Sequence, residues 1–427
     1  MPLDRRTFVQ SVGLGALGAL AAGPLQAAPS AADTLPAYDP ARPDEFWRAV
    51  RAQYPLRDDP LYLNTGGLGP VPQRVLDRVF ATMAEMQQHS EPEHERRIEP
   101  ARRALASFLG AQPAEVCFTR NTTEGNSIIA AGLSLNPGDE IILDSHAHPG
   151  GSYPWFNQVQ RRGVVVKLFE PDVTSSEGNV ARIAALVTPR TRVIQVSHIV
   201  CTTGLVLPVR AIADLARRHG VWFHVDGAQA AGMVPLDLTA LGCDSYAFSG
   251  HKWLGGPHET GGFFLRRDRL EQVAPVELGS HTGDLPFLPG VIKFEDSVVR
   301  HEYGTRNLGL VAGLVEALQF QLELGRDRIA AWGRGLAAHV AASAAEIPGV
   351  TLQSPRDPAL ASAMTTFSLR DVTAKRLSEY LKKQHRLRCR PVTEQGLQAV
   401  RVSTHVFTSR ADCDRVIAAL RAAAHDL

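Results

Sequence analysis

The stretch WFHVDGAQAAGMVPLDLTALGCDSYAFSGHK, residues 222–252, contains two apolar runs that each end in polar side chains. Both runs are continuous rather than alternating, which is typical of strands buried on both faces of a mainly parallel sheet. Asp226 ends the first run, and Ser249, His251 and Lys252 follow the second. Because ligands bind at the carboxyl ends of strands in open α/β sheets, we predict a site where these side chains meet.

Two charges in this stretch are placed where charges are rarely found. Lys252 lies between His251 and Trp253 with glycines close by, although lysine usually occupies a solvated face. A confined, partly apolar environment lowers the pKa of a lysine amine and makes it a usable nucleophile. Asp226 follows an apolar strand, and burying an unpaired carboxylate is costly, so it needs a partner.

The rest of the chain extends this pattern in both directions. Five further runs resemble strands: EVCFTR, EIILDS, VVVKLFE, RVIQVSH and GGFFLRR. They alternate with helical segments, which predicts an α/β sheet with crossover connections. The helix PVRAIADLARRHG should end at Gly220. Beyond Thr305, two long helices precede shorter strands and helices, which indicates a smaller α+β domain.

Composition limits the kinds of partner. The 427 residues are 44% hydrophobic, enough for a large core, and a well-mixed net charge of +1 argues against nucleic acid as the main partner. The helix-like HERRIEPARRALASFLG contains four arginines, but its interleaved glutamates predict a solvated face. The five cysteines form no CxxC pair and are interpreted as buried free thiols: Cys117, Cys201, Cys243, Cys389 and Cys413.

The N-terminal residues have the layout of an export signal. Arg5 and Arg6 precede a Gly- and Ala-rich apolar run that is too short to span a membrane. We therefore predict a twin-arginine signal peptide over residues 1–28 and a linker with a helix over residues 29–60. This predicts export to the periplasm by the twin-arginine machinery, which moves folded proteins, without stable membrane insertion.

A possible phosphate site follows an upstream strand. VCFTRNTTEGNS turns from strand to helix through Asn121, Thr122 and Thr123, and a helix N-terminus with hydroxyl groups suits a phosphate. Asn and Thr are also ordinary helix N-caps, so this segment alone leaves both interpretations open.

Taken together, HVDGAQ and SGHK at their spacing resemble the class V aminotransferase family of fold type I pyridoxal 5′-phosphate (PLP) enzymes. The resemblance covers nearly all of the chain after the signal. It implies a large PLP-binding domain over residues 61–305 with a mainly parallel seven-stranded sheet, and a small α+β C-terminal domain over residues 306–427. It also implies that Lys252 is the Schiff-base lysine.

The resemblance further implies roles for individual residues. Asp226 would face the pyridine nitrogen, Gln229 would contact the phenolic oxygen, and His148 would stack on the ring. The phosphate would be held by Thr122, Thr123, Ser249 and His251.

Other implied roles concern the substrate and the partner subunit. Thr305 would reach the phosphate of the neighbouring subunit in a homodimer. Arg401 would grip the α-carboxylate of a small amino-acid-like substrate, and Arg390 is either a second carboxylate contact or a strand-end arginine.

One departure from the family's cysteine desulfurases favours a different chemistry. The loop RPVTEQGLQAV has no cysteine where those enzymes carry their nucleophile, and Cys201 is interpreted as a pocket residue of unknown role. The surroundings resemble isopenicillin N epimerase relatives, and GHKWLGGPHETG with the twin-arginine start resembles exported PLP enzymes that tailor the side group of the siderophore pyoverdine. We predict aminotransferase- or epimerase-type chemistry on a peptide-like exported metabolite; a desulfurase or lyase is the alternative.

Two functions from other classes fit the sequence less well. A metal-dependent hydrolase could use the histidines near strand ends, which are His146, His148, His198, His224 and His251. That function leaves Lys252 unexplained, so we predict no metal site. An exported binding protein that had lost its chemistry would be expected to lack Lys252 or Asp226, and both are present.

Overall fold

The computed structural model describes residues 35–89, 94–284 and 290–427. The predicted signal peptide, residues 1–28, lies outside the described residues, as does the start of the predicted linker. Where the domains divide stays a prediction.

The strands and helices are numbered in chain order. The strands are β1 (Leu61–Tyr62), β2 (Val116–Thr119), β3 (Glu140–Asp144), β4 (Val165–Phe169), β5 (Thr191–Ser197), β6 (Trp222–Asp226), β7 (Ser245–Ser249), β8 (Gly261–Leu265), β9 (Gly283–Asp284), β10 (Lys293–Phe294), β11 (Val350–Leu352), β12 (Met364–Leu369), β13 (Leu387–Arg388), β14 (Arg390–Val392) and β15 (Ala399–Ser403). The helices are α1 (Pro43–Ala52), α2 (Gln73–His89), α3 (His94–Leu109), α4 (Thr122–Gly132), α5 (Pro149–Arg162), α6 (Ser176–Leu186), α7 (Val209–His219), α8 (Leu238–Leu241), α9 (Leu308–Leu324), α10 (Arg326–Ala345), α11 (Ala374–His385) and α12 (Arg410–Asp426).

The larger sheet has seven strands in the order β2-β8-β7-β6-β5-β3-β4. Every neighbouring pair is parallel except those of β8, which runs antiparallel to β2 and β7. Every residue of β6 and β7 is buried, which explains why their sequences are continuously apolar. The predicted α/β fold with a mainly parallel seven-stranded sheet is confirmed.

Crossover helices cover this sheet. Helix α7 ends at Gly220, whose φ of 64° lies in the left-handed region, as predicted for a helix C-cap. The parallel order β5-β6-β7 places the carboxyl ends of these strands at one edge of the sheet. Asp226 and Ser249 end two of these strands, so the topology brings the predicted site residues together.

A second, antiparallel sheet follows in the C-terminal part of the chain, with strand order β11-β12-β15-β14. Side chains from α10, α11 and α12 form one buried cluster with this sheet, including Val340, Leu381 and Leu420. This is the α+β arrangement that the sequence predicts. Arg390 on β14 lies directly opposite Arg401 on β15.

Helix α1 connects the N-terminal segment to the C-terminal helices. Its apolar side chains Phe46, Trp47 and Val50 are buried in a cluster that includes Phe320 and Phe407. The ring of Trp47 stacks on that of Trp332, with centroids 5.4 Å apart.

One prediction about α3 is wrong at Arg102. The helix was expected to present a solvated charged face, but the Arg102 side chain is 2% exposed and its Nη1 donates to Glu302 Oε1 at 2.6 Å. The same carboxylate oxygen accepts the backbone N–H of Phe118 at 2.6 Å. The partner lies 200 residues away along the chain, so no local pattern could reveal it.

Within the described residues, no single helix is long and apolar enough to cross a membrane. Helices α9 and α10 have the length and composition of a membrane span only when they are taken together, and they are bent by 77° at their junction.

Candidate active site

Asp226 is held by a chain of neutral groups. Its Oδ2 accepts from Asn126 Nδ2 at 2.8 Å, and its Oδ1 accepts the Ala228 N–H at 3.0 Å. The other end of the Asn126 amide lies 2.8 Å from His224 Nε2, and His224 Nδ1 lies 2.8 Å from Ser245 Oγ. Burial lowers the pKa of His224 to about 3, so this histidine is neutral at neutral pH. Asp226 therefore has hydrogen-bond donors but no ion pair within the described part of the chain.

Lys252 follows β7, and its amine makes no hydrogen bond to any described residue. Burial lowers the pKa of Lys252, and this effect outweighs the attraction of Asp226, which raises it. Arg401 and Arg390 lower the pKa further. This is the direction that the sequence pattern predicts, and it favours a nucleophilic amine.

The backbone of the Lys252 turn is fixed by a turn at residues 64–69. The Gly69 N–H donates to the His251 carbonyl at 2.7 Å. A Cβ at Gly69 would lie 1.8 Å from the Lys252 carbonyl oxygen, closer than any real contact. Only glycine permits this approach.

Two of the predicted phosphate residues, Thr122 and Thr123, begin α4, and Ser249 and His251 lie at the end of β7 and just after it. The hydroxyls of Thr122 and Ser249 are 2.7 Å apart, and Ser249 Oγ also accepts the Thr122 N–H at 3.1 Å. Asn121 caps the helix by accepting the Glu124 N–H at 3.0 Å, so the N-cap interpretation holds for Asn121. The role of Thr122, Thr123 and Ser249 toward a phosphate stays a prediction.

Two histidines flank Lys252 and Asp226. His148 caps α5 by accepting the Gly150 N–H at 3.1 Å, and its pKa is lowered by burial and then by Lys252. The Nδ1 atom of His251 is buried without a partner among the described residues, and burial lowers its pKa to about 4. Gly151 lets α5 approach the site, because a Cβ there would lie 2.9 Å from Asp226 Oδ2.

Gln229 connects the two sides of the site. Its Nε2 donates to the Gly66 carbonyl at 2.8 Å, and its Oε1 accepts from Trp253 Nε1 at 2.8 Å. The Nε2 group has two hydrogens and donates one of them to Gly66, so the second is free to donate to another group. The contact with a phenolic oxygen stays a prediction.

Arg401 lies at the centre of β15 with 1% of its surface exposed. Its Nη1 donates to the Cys201 carbonyl at 2.6 Å and its Nη2 to Asn64 Oδ1 at 3.2 Å, whereas its Nε is buried without a partner in the described structure. Burial lowers the pKa of Arg401 to about 10, and Arg390 adds to this effect. The Cys201 thiol is buried, and burial raises its pKa. An unsatisfied donor on a buried cation is suited to a carboxylate ligand.

Arg390 is the first residue of β14, and a contact between it and a second carboxylate stays a prediction. Its Nη2 forms an ion pair with Glu394, and its Nη1 is buried without a partner among the described atoms. Burial alone would raise the pKa of Glu394, but hydrogen bonds from its own backbone and from Arg390 lower it.

Thr305 is not brought to Lys252. It is exposed and lines a surface cavity with Arg120, Glu259, Tyr303 and Arg306. Its predicted role across a dimer interface stays a prediction.

The histidines of the metal alternative are dispersed among separate partners. His146 contacts Thr202 at 2.6 Å and Glu170 at 2.8 Å, and His198 contacts the Tyr246 hydroxyl at 3.0 Å. The described residues contain no group of three or more metal-ligating side chains.

Sequence reasoning missed several residues of the site, among them Asn126, Trp253, Asn64 and Glu394. Asn126 is polar within a helix and has no local signal of its role. Asn64 stands in LNTGGLG, a glycine-rich run that would have been the available signal for a close backbone approach.

Comparisons with known proteins agree with this geometry. The family model for Aminotransferase class-V matches residues 62–416. The isopenicillin N epimerases of Streptomyces clavuligerus and Amycolatopsis lactamdurans are 31% and 33% identical, and each alignment covers 88% of this chain and 98% of the epimerase. The cysteine desulfurase of Pectobacterium atrosepticum is 30% identical, over 87% of this chain and 96% of that enzyme.

A solved structure supports the same relationship. The cystine C–S lyase C-DES, in a complex with its product cysteine persulfide, is 27% identical, with a TM-score of 0.79 over 86% of this chain and 99% of the other. A mutant of C-DES with glycine covalently linked to its PLP cofactor has a TM-score of 0.80. The chain therefore belongs to the class V aminotransferase family of PLP-dependent enzymes.

Proposed function

We propose that this enzyme acts on the α-amino-acid end of a peptide-like metabolite, with epimerase- or aminotransferase-type chemistry. The observation that carries the proposal is the buried Arg401, whose Nε has no described partner and whose charge acts on the Lys252 amine. A carboxylate on Arg401 would place a neighbouring amino group toward Lys252. Both isopenicillin N epimerases match this chain over 88% of its length.

The residues present fit PLP. Lys252 has a low-pKa amine without a described hydrogen-bond partner, and Asp226 is a buried carboxylate without an ion pair. Gly151 leaves space beside Asp226 that any side chain would fill. Bound PLP supplies an electron sink for bond breaking at the α-carbon of the substrate.

The chain's own groups then have separate tasks. Arg401 orients the substrate through its carboxylate, and Lys252 moves the proton at the α-carbon. Asn126 Nδ2 and the Ala228 N–H donate to the two oxygens of Asp226 and so fix the orientation of its carboxyl group. His148 and His251 have lowered pKa values and add no positive charge at neutral pH.

The alternative, a cysteine desulfurase, rests on relatives of 29–33% identity. The described chain offers no exposed thiol for it, since all five cysteines are buried and unpaired. The thiol beside Arg401, that of Cys201, has its pKa raised by burial, which disfavours the nucleophilic thiolate.

We therefore expect no catalytic release of sulfide or alanine from L-cysteine. The pure enzyme should release sulfide no faster than free PLP does, and Cys201→Ser should leave that rate unchanged. Sulfide assays with lead or methylene blue are the measurement. Sulfide released at a catalytic rate, and lost in Cys201→Ser or another single cysteine variant, would establish the desulfurase instead.

The exported setting of the substrate belongs to the same proposal. The support is the sequence of residues 1–28, with Arg5 and Arg6 ahead of an apolar run. Export of an enzyme already loaded with PLP is useful when its substrate matures outside the cytoplasm. A siderophore side group that ends in an amino acid fits this description.

Deleting the gene should change the secreted metabolites, and one or more amino-acid-ended compounds should be replaced by an unprocessed form. Mass spectrometry of culture supernatants is the measurement. A gene encoding the native chain should restore the profile, whereas the Arg5→Lys and Arg6→Lys double variant should not, because it stays in the cytoplasm. An unchanged profile in the deletion strain, with rapid turnover of free amino acids by the pure enzyme, would refute the proposal.

A further inference from the structure

Two arginines face each other across the antiparallel pair β14 and β15. Arg390 and Arg401 are register partners, and like charges directly opposite each other in a sheet are destabilising. Each arginine has a buried nitrogen without a described partner, Nη1 of Arg390 and Nε of Arg401. Buried donors of this kind call for an anion.

Glu394 supplies an anion to only one of the two. It pairs with Arg390 Nη2, and its Oε2 accepts the Thr393 N–H at 3.0 Å. The short helical turn that contains it is tied to the larger sheet, because Gln395 Nε2 donates to the Ser145 carbonyl at 2.6 Å. Gln395 has a φ of 53°, a left-handed conformation that fixes the shape of this turn.

The two arginines differ in their partners. Glu394 forms an ion pair with Arg390, whereas Arg401 donates to the Cys201 carbonyl and to Asn64 Oδ1 and forms no ion pair with a described residue. Glu394 neutralises Arg390, and Asp226 lies beside Lys252. Arg401 is therefore the guanidinium without a carboxylate partner among the described residues, and we take it as the contact for a carboxylate of the substrate.

We propose that Glu394 is a specificity-determining residue, an internal counter-anion that reserves the pocket for a substrate with a single carboxylate beside its amino group. A second carboxylate would meet Glu394 instead of a free cation, and in a partly buried site this repulsion is strong. This inference rests on the proposed function, because it takes Arg401 as the contact for the α-carboxylate.

The test compares two ligands that differ by one charge. L-glutamate and L-glutamine have nearly the same shape, so the ratio of their dissociation constants reports the effect of the second carboxylate. The ratio is measured on the purified holoenzyme from the ligand-induced change in PLP absorbance. The native enzyme should bind glutamine more tightly, and Glu394→Gln should shift the ratio toward glutamate by roughly tenfold or more.

Two further variants separate charge from structure. Glu379→Gln removes an exposed glutamate that pairs with Lys383, and it should leave the ratio unchanged. The double variant Arg390→Gln with Glu394→Gln should return the ratio toward the native value, because it lacks the Arg390 guanidinium that Glu394→Gln alone leaves without its ion-pair partner.

The outcomes distinguish the inference about Glu394 from the proposed function of the enzyme. If both amino acids bind but Glu394→Gln leaves the ratio within about twofold of native, which is within the usual scatter of surface substitutions, the inference is overturned and the proposed function stands. If the double variant keeps the full shift, the charge of Arg390 is not the cause and the inference also fails. If neither ligand changes the absorbance of the native holoenzyme and Glu394→Gln gains no response to L-glutamate, the inference is overturned, whereas the proposed function is decided separately by the secreted metabolites of the deletion strain.

Discussion

Lys252→Ala is expected to abolish covalent retention of PLP and to lower turnover by roughly 10²–10⁴-fold, the usual contribution of a positioned acid–base group. The amine has a lowered pKa and no described hydrogen-bond partner, so it has no structural task to lose. Folding should therefore be unaffected. The measurements are visible absorbance before and after borohydride treatment, the mass of the reduced protein, and circular dichroism.

Lys383→Ala is the matched control, because Lys383 is exposed and its one ion-pair partner among the described residues is Glu379, one helical turn away. It should retain native activity and the native spectrum. Full activity in Lys252→Ala, or borohydride labelling of a different lysine, would contradict the role assigned to Lys252.

Asp226→Ala is expected to weaken PLP binding and to remove most activity, by roughly 10²-fold or more. The carboxyl group is buried, and it accepts hydrogen bonds from Asn126 Nδ2 and from the Ala228 N–H. Equilibrium dialysis against PLP and steady-state kinetics are the measurements. The loss should persist at saturating PLP, because the carboxylate is expected to act on the bound ring and not only to hold it.

Asp226→Asn separates charge from shape at this position. It keeps the size of the side chain but removes the negative charge, and it should resemble Asp226→Ala in activity. Asp226→Glu keeps the charge and should retain a few per cent of the activity. If Asp226→Ala retained full activity, Asp226 would have no role in the chemistry.

The seven strands of the large sheet were predictable because most of them are short, continuous apolar runs between turn residues. The two- and three-residue strands β1 and β11 were not, since they are too short to show a periodicity. Asp226 and Lys252 were identifiable because charges at the ends of buried strands are costly without a function.

Partners that are distant in sequence could not be predicted. The contact between Asn126 and Asp226 spans 100 residues, and that between Arg102 and Glu302 spans 200. Both follow from the packing of helices on the sheet. Glu394 was overlooked for a different reason, since a glutamate in a polar loop has no signal until β14 and β15 are paired.

The turn at residues 64–69 bears on how this enzyme can be re-engineered. Asn64 contacts Arg401, the Gly66 carbonyl accepts from Gln229, and Gly69 lies against the Lys252 turn. It holds three functional groups at once without contributing reactive chemistry, so a mutant library that varies it would mostly yield inactive clones. Substrate preference should instead be altered through residues 393–396, where Glu394 contacts Arg390, because changes there leave that turn untouched.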